Sequence, residues 1–163
     1  MGSGKSRFGK RFAKRMNYTF LDSDREIEKE NNSTIGDLFE QIGEEGFRKL
    51  ETDWLRNFNE EGVVVALGGG TPCNNNNMDL VKEKGISIYL KLPPKILVDR
   101  LQDSKDVRPL IVPYAGNSPA LTKYIEVKLK EREQFYNEAD YTITGMNLNA
   151  KRMDELKEMI SED

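Results

Sequence analysis

The chain has 163 residues, of which 33% are charged and 37% hydrophobic, and carries a formal net charge of −3. That is one domain's worth of sequence with enough apolar content for a real core, and its acidic balance argues against nucleic acid or a membrane surface as a partner. It contains no histidine and a single cysteine, which excludes Ser-His-Asp and Cys-His catalysis, His₃ zinc sites, Cys₄ clusters and an intramolecular disulfide. Any chemistry must rest on carboxylates, Lys, Arg, hydroxyls, backbone amides or a borrowed metal ion. One lone cysteine suits a reducing cytosol. The longest apolar run, Val63 to Leu67, is far shorter than a bilayer span, so a cytoplasmic protein is expected.

The first element is a basic amphipathic helix over Gly4 to Met16, with Phe8, Phe12 and Met16 recurring on one face. Tyr18 to Leu21 reads as a short strand ending in Asp22-Ser23-Asp24, followed by a helix over Arg25 to Glu30. Thr34 is placed to cap a helix from Ile35 to Ile42, Gly43 interrupts it, and Glu45 to Phe58 continues it. The unbroken run Val63 to Leu67 fits a strand buried on both faces, as in a parallel sheet, and Gly68-Gly69-Gly70 ends it. The four-Asn tract Asn74 to Asn77 reads as a loop or helix entry. A helix over Met78 to Lys84, a strand over Ile86 to Leu92 and a helix from Pro93-Pro94 to Leu101 follow. Gln102 to Ser118, polar and holding Pro109, Pro113 and Gly116, reads as a mobile loop. Pro119 to Glu138 is a helix with Leu121, Ile125, Leu129 and Arg132 on one side, Tyr141 to Thr144 a last strand, and Lys151 to Ser161 a terminal helix. Strands alternating with helices imply an α/β fold with a parallel sheet.

Several short patterns carry chemistry. Gly2-Ser3-Gly4-Lys5-Ser6 is the end of a phosphate-binding G-x-x-x-x-G-K-[ST] loop. Its glycines let backbone N–H groups approach phosphate oxygens, the helix N-terminus adds positive dipole, Lys5 would reach the β/γ-phosphates and the Ser6 hydroxyl would ligate Mg²⁺. The same residues also read as a plain Gly/Ser tail. Asp22 and Asp24 at a strand end can orient a metal-bound water and accept a hydroxyl proton, or simply cap a helix. Arg48 and Glu51, three apart, share a helix face; Arg48 can hold a carboxylate while Glu51 steadies it, or the two form an ordinary exposed ion pair. Gly68-Gly69-Gly70 allows close approach of a ligand to backbone amides, or terminates a strand. Arg108, beside Pro109 in the polar loop, can close over a phosphoryl group. Arg132, on the inward stripe four residues before Tyr136, needs an anionic partner from the protein or a ligand.

In this order, G-S-G-K-S, D-S-D, F-R-x-x-E, G-G-G-T-P, R-P-L and R-x-x-x-Y resemble the motif series of shikimate kinase over nearly the whole chain. The resemblance implies a single domain over 1–163, a P-loop α/β/α three-layer fold with a lid at about 102–118, monomeric, transferring the γ-phosphoryl group of ATP to the 3-hydroxyl of shikimate with Mg²⁺. It implies that Gly2, Ser3, Gly4, Lys5, Ser6 and Arg7 bind ATP phosphates, with Arg100 against the adenine and Arg108 on the phosphates. It implies Ser6 on the metal and Asp22 linked to it through water. Asp24 would act as base or orienter of the attacking hydroxyl, Arg48 and Arg132 would grip the substrate carboxylate, and Gly69 and Gly70 would contact the ring. Lys5, Asp24 and Arg108 are the catalytic candidates. Arg7 stands where many such loops have Thr. The first glycine of the loop pattern falls before Met1, and so does the strand that should feed it. The sequence therefore predicts a sheet lacking its first, central strand, with Met1 internal to a longer protein; restoring about ten residues is expected to recover folding and activity. Two rivals stay open: another small-molecule P-loop kinase of the gluconate or nucleoside type, and an inactive relative that serves as a binding module.

Overall fold

The computed structural model describes residues 2–103, 109–114 and 116–161. Helices α1 (Lys5–Met16), α2 (Ser23–Asn31) and α3 (Ile35–Asn57) alternate with strands β1 (Thr19–Asp22) and β2 (Val63–Ala66). They are followed by α4 (Asn77–Lys84), β3 (Ile88–Lys91), α5 (Pro94–Gln102), α6 (Ser118–Tyr136), β4 (Tyr141–Thr144) and α7 (Ala150–Ser161). The expected alternation and the expected parallel pairing are both present.

The strands form two separate parallel pairs. In one, β1 lies on β2 in the register Thr19↔Val63 to Asp22↔Ala66; in the other, β3 lies on β4 from Ile88↔Tyr141 to Lys91↔Thr144. Among the described residues no strand joins β2 to β3. The consequence is visible in burial. Val63, Val64 and Val65 were expected to be buried on both faces, yet each is only half-buried, and Ala66 alone is fully enclosed. Helices pack above and below these valines, but among the described residues no strand pairs along one edge of β2.

Helices cover both faces. Phe8 and Phe12 of α1 pack with Met153 and Leu156 of α7 against Val64, Ile88, Leu90 and Ile143, so this helix pair spans both strand pairs. On the other side, Ile27 of α2 and Leu38, Phe47, Trp54 and Leu55 of α3 pack against Val65 and Leu67. A third cluster joins Leu92, α5 and α6 through Leu97, Val98, Leu101, Leu121 and Ile125. The alternation of Val64 and Val65 between the first two clusters is the two-residue period of a strand. No helix among the described residues is long and apolar enough to cross a membrane.

Local chemistry sets the helix ends. Thr34 caps α3: its Oγ1 accepts the Asp37 N–H at 3.2 Å, and Asp37 Oδ2 accepts the Thr34 N–H at 3.3 Å. This reciprocal capping box satisfies two otherwise orphaned donors. Thr34→Ala is expected to lower unfolding free energy by about 1 kcal/mol, measured by urea denaturation. Gly43 kinks α3, with φ 69° and ψ −179°, where the sequence placed an interruption.

One expectation needs correction. The stretch read as a polar mobile loop contains a 3₁₀ helix, Pro109–Tyr114. Ile111 and Tyr114 pack on the α5–α6 cluster, with the Tyr114 ring 4.6 Å from that of Tyr124. Apolar side chains inside a polar, proline-bearing segment anchor it.

Candidate active site

The site gathers where β1, β2 and the N-terminus of α1 come together. Gly2 and Gly4 adopt positive φ of 70° and 83°, a conformation that glycine takes without steric cost. They turn the backbone into α1, whose first residues are Lys5 and Ser6. From α5, Arg100 donates through Nη1 to the carbonyls of Ser3 at 3.0 Å and Gly2 at 3.4 Å. Arg100 thus braces the phosphate loop from outside, a contact the sequence reading did not foresee. Arg7 is exposed on α1.

Parallel strands deliver Asp22 and Asp24 to the same place. Asp22 ends β1 at the N-cap position of α2, but its side chain does not cap that helix. Instead Oδ2 accepts a hydrogen bond from Ser6 Oγ at 2.5 Å and lies 3.7 Å from Lys5 Nζ. Asp24 Oδ2 is 3.9 Å from the same ammonium. Burial pushes the Asp24 carboxyl above its ordinary range; Lys5 opposes this, while Asp22, Glu51 and Glu28 add to it. Such a carboxylate is a better proton acceptor than one in water. The D-S-D pattern therefore does more than cap a helix. Its middle residue was missed: Ser23 Oγ, buried, accepts the Gly68 N–H at 3.1 Å and donates to Ala66 O at 3.4 Å, tying β1 to the end of β2.

Arg48 and Glu51 are a buried pair, not a surface one. Arg48 Nη1 meets Glu51 Oε2 at 2.6 Å, and Glu51 is only 2% exposed. The second Glu51 oxygen accepts from Thr71 Oγ1 at 2.5 Å. Burial works against the Arg48 charge, but Glu51, by its charge and hydrogen bond, and Glu44 outweigh it and hold the guanidinium's pKa above its usual value. Glu44, one turn earlier, accepts from Nη2 at 3.0 Å; its spacing of four from Arg48 was a readable signal.

The glycine run threads between these groups. A Cβ on Gly68 would fall 2.7 Å from both Asp24 Oδ1 and Glu51 Oε1, and one on Gly70 would fall 2.6 Å from Arg48 Nη1. Asp24, Glu51 and Arg48 therefore crowd Gly68 and Gly70, where an added side chain would force one of them to shift. Tyr136 donates its hydroxyl to Gly69 O at 2.5 Å, and its ring lies 5.0 Å from that of Tyr89. Burial pushes the Tyr136 phenol up to about 12 against the opposing charge of Arg132, so it stays a donor. Arg132 acts on Tyr136 and, together with Arg48, on the half-buried Cys73. The two arginines thus approach one patch from α3 and α6.

The Asn tract supports this loop from below. Asn74 Nδ2 donates to Gly70 O at 2.7 Å and Asn77 Nδ2 to Thr71 O at 2.8 Å. Asn75 Nδ2 reaches Thr52 Oγ1 at 3.0 Å, and Thr52 in turn donates to Arg48 O at 2.9 Å. Arg108 lies outside the described residues.

The donor set near Lys5 suits Mg²⁺. A hydroxyl and a carboxylate already in contact, Ser6 and Asp22, are hard oxygen ligands, and Mg²⁺ is commonly held by one or two such groups, with phosphates and water completing its shell.

Comparison with known proteins gives one answer. The shikimate kinase family model matches residues 1–161. A shikimate kinase of Bacteroides thetaiotaomicron is 35% identical over 168 residues, covering 98% of this chain and 95% of that protein. One from Flavobacterium psychrophilum is 40% identical over 146 residues, covering 88% and 84%. Among solved structures, the B. thetaiotaomicron shikimate kinase superposes with a TM-score of 0.88 at 33% identity, covering 99% of this chain and 92% of that one. Shikimate kinase from Acinetobacter baumannii in complex with shikimate gives 0.84 at 34%, covering 99% and 89%. Every one of these relatives is named as the enzyme, so the reading as an inactive binding module finds no support. A family match over nearly the whole chain, together with these identities and superpositions, shows that the chain belongs to the shikimate kinase family and is an enzyme of that kind.

Proposed function

We propose that this chain transfers the γ-phosphoryl group of ATP to the 3-hydroxyl of shikimate, giving shikimate 3-phosphate and ADP, as a cytoplasmic, monomeric step toward chorismate and the aromatic amino acids. The observation that carries the reading is the convergence on Gly68: Asp24 lies between the phosphate-binding Lys5, 3.9 Å away, and the Glu51 that holds Arg48. A proton acceptor placed between a phosphate grip and a carboxylate grip suits phosphorylation of a hydroxylated carboxylic acid.

Each residue then has a task. The backbone from Gly2 to Ser6, braced by Arg100, cradles the ATP phosphates, and Lys5 balances their charge. Ser6 would hold Mg²⁺ directly and Asp22 through water, and the ion would supply neutralisation of phosphate charge. Arg48 and Arg132 orient the substrate carboxylate, while Gly69 and Gly70 let its ring approach the backbone. Asp24 fixes the attacking hydroxyl and takes its proton. Arg108 closes from the lid at about 102–118 onto the phosphates. Phosphoryl transfer asks for positioning and charge stabilisation above all, which a histidine-free chain can supply.

A coupled ADP-release assay with shikimate as acceptor tests the reading. Turnover with shikimate and not with gluconate or nucleosides is expected; the reverse preference overturns it. Arg48→Lys keeps a positive charge beside Glu51 but loses the rigid fork of donors. It is expected to raise KM for shikimate about tenfold or more and leave KM for ATP nearly unchanged; equal changes in both would contradict the assignment.

A further inference from the structure

Two of the three carbonyls in the glycine run are answered from within residues 68–74. Gly68 O accepts the Thr71 N–H at 3.1 Å, and Gly70 O accepts the Cys73 N–H at 3.0 Å and Asn74 Nδ2 at 2.7 Å. Gly69 O is held from another element. The Tyr136 hydroxyl of α6 donates to it at 2.5 Å, and the Cys73 thiol, a weak donor, stands 4.0 Å away. The Tyr136 ring is itself fixed, 5.0 Å from that of Tyr89 on β3.

Holding that one carbonyl aims a donor. The Gly69–Gly70 peptide bond is trans, so Gly69 O and the Gly70 N–H point in opposite directions across one rigid plane. Gly70 is buried, and its N–H has no partner among the described residues. A buried N–H so placed calls for an acceptor that binding would bring. It belongs to the patch of Arg48, since a Cβ on Gly70 would fall 2.6 Å from Arg48 Nη1. The phenol also takes a hydrogen bond from the Arg132 side chain, one helical turn earlier on α6. The acids beside Arg132 in sequence are committed to lysines, Glu131 to Lys128 at 2.7 Å and Glu133 to Lys91 at 2.5 Å. Arg132 is thus oriented by a neutral group and keeps its charge for a ligand. Burial holds the phenol protonated, with its pKa pushed up to about 12. One hydroxyl therefore accepts from the guanidinium and donates to the carbonyl at the same time, and each bond polarises the other.

We propose that Tyr136 is the positioning residue of the acceptor site: its hydroxyl locks the Arg132 guanidinium and the Gly70 N–H into one geometry for a single carboxylate-bearing substrate. It acts through those two groups and does not itself touch the substrate. The inference rests on the phosphoryl-transfer reading for the identity of that substrate.

Tyr136→Phe keeps the ring and its contact with Tyr89 and removes only the hydroxyl. Calorimetric titration with shikimate is expected to give a Kd raised about tenfold, and KM for shikimate should rise with it. Both kcat and KM for ATP should stay within about twofold, because the positioned groups hold the acceptor equally in ground and transition states. A double-mutant cycle reads the link through Arg132. On an Arg132→Lys background, Tyr136→Phe is expected to raise the Kd by less than about threefold more, since the group it positions is already gone. The full tenfold effect on that background overturns the relay. An unchanged Kd for Tyr136→Phe, in a chain that still phosphorylates shikimate, overturns this proposal and leaves the phosphoryl-transfer reading standing. Equal rises in both KM values, or failure of Tyr136→Phe to fold, would make the hydroxyl a structural tie and overturns the proposal as well. No shikimate binding by the unaltered chain overturns the phosphoryl-transfer reading, and this inference with it.

Discussion

Asp24→Asn is expected to lower kcat by about 10²–10⁴-fold, the usual worth of a positioned general base, with KM for ATP little changed. Asp24 stands 3.9 Å from Lys5 and presses on the Gly68 backbone beside Glu51, so it faces both the phosphate grip and the acceptor side. The pH dependence follows from its surroundings. Burial raises its pKa, Lys5 opposes, and three neighbouring carboxylates reinforce the rise. The carboxylate form is the working one, so kcat falls as pH drops through this raised value, and the loss begins at a higher pH than for an aspartate in water. Asp24→Asn should abolish that acidic limb together with most of the activity. Stability should move the other way. A carboxyl whose folded pKa lies above its unfolded one favours the folded state while protonated and loses that contribution as pH rises through the folded value. At neutral pH the charged Asp24 is therefore a cost, and Asp24→Asn is expected to raise Tm while destroying turnover. A variant that loses activity and stability together would show a structural role instead.

Glu51→Ala is expected to cost the fold about 3–5 kcal/mol, read by urea or thermal unfolding. Glu51 is almost fully buried between Arg48 and Thr71, and its loss leaves a guanidinium that is itself only 10% exposed without its inner partner. Glu44 still accepts from Nη2, but from a largely exposed position, so it compensates weakly. The loss is a large share of the roughly 5–15 kcal/mol that holds a domain of this size together. Glu51→Gln keeps an oxygen for Thr71 and the shape of the pair, and should lose less. In both variants the shikimate KM should rise more than the ATP KM, because the displaced residue is Arg48 and not the phosphate loop.

Much of the site was legible because its parts announce themselves by residue type. Glycines stand where backbone must turn or be approached, and a lysine and a serine open the helix after them. What spacing cannot tell is which way a shared face points. Arg48 and Glu51 on one helix face fit a solvated pair equally well; only the packing of α3 against the end of β2 encloses them. The same limit applied to Val63, Val64 and Val65, whose composition predicts enclosure on every side. Their half-exposure depends on what lies along the next edge of the sheet, which no local pattern encodes. The segment 109–114 was misread because its prolines outweighed Ile111 and Tyr114, which find a cluster only once α5 and α6 are in place. Four identical asparagines carry no internal distinction in sequence, yet Asn74 and Asn77 hold the successive carbonyls of Gly70 and Thr71 while Asn75 reaches Thr52. Ser23 and Tyr136 sat inside recognised patterns without a role, because tethering a neighbouring backbone is a property of the assembled strands.

The kink at Gly43 carries a consequence of handedness. Its backbone angles, φ 69° and ψ −179°, belong to a region closed to L-amino acids other than glycine, although a side chain built there would meet nothing within 4 Å. Space is free and chirality alone bars entry. Inverting both angles gives about −69° and 179°, the extended polyproline geometry, so a D-alanine installed by chemical synthesis would fit without strain. The bend between the capped start of α3 and the half that carries Arg48 is thus written in the mirror-image alphabet, and among the genetically encoded residues only the achiral one can spell it.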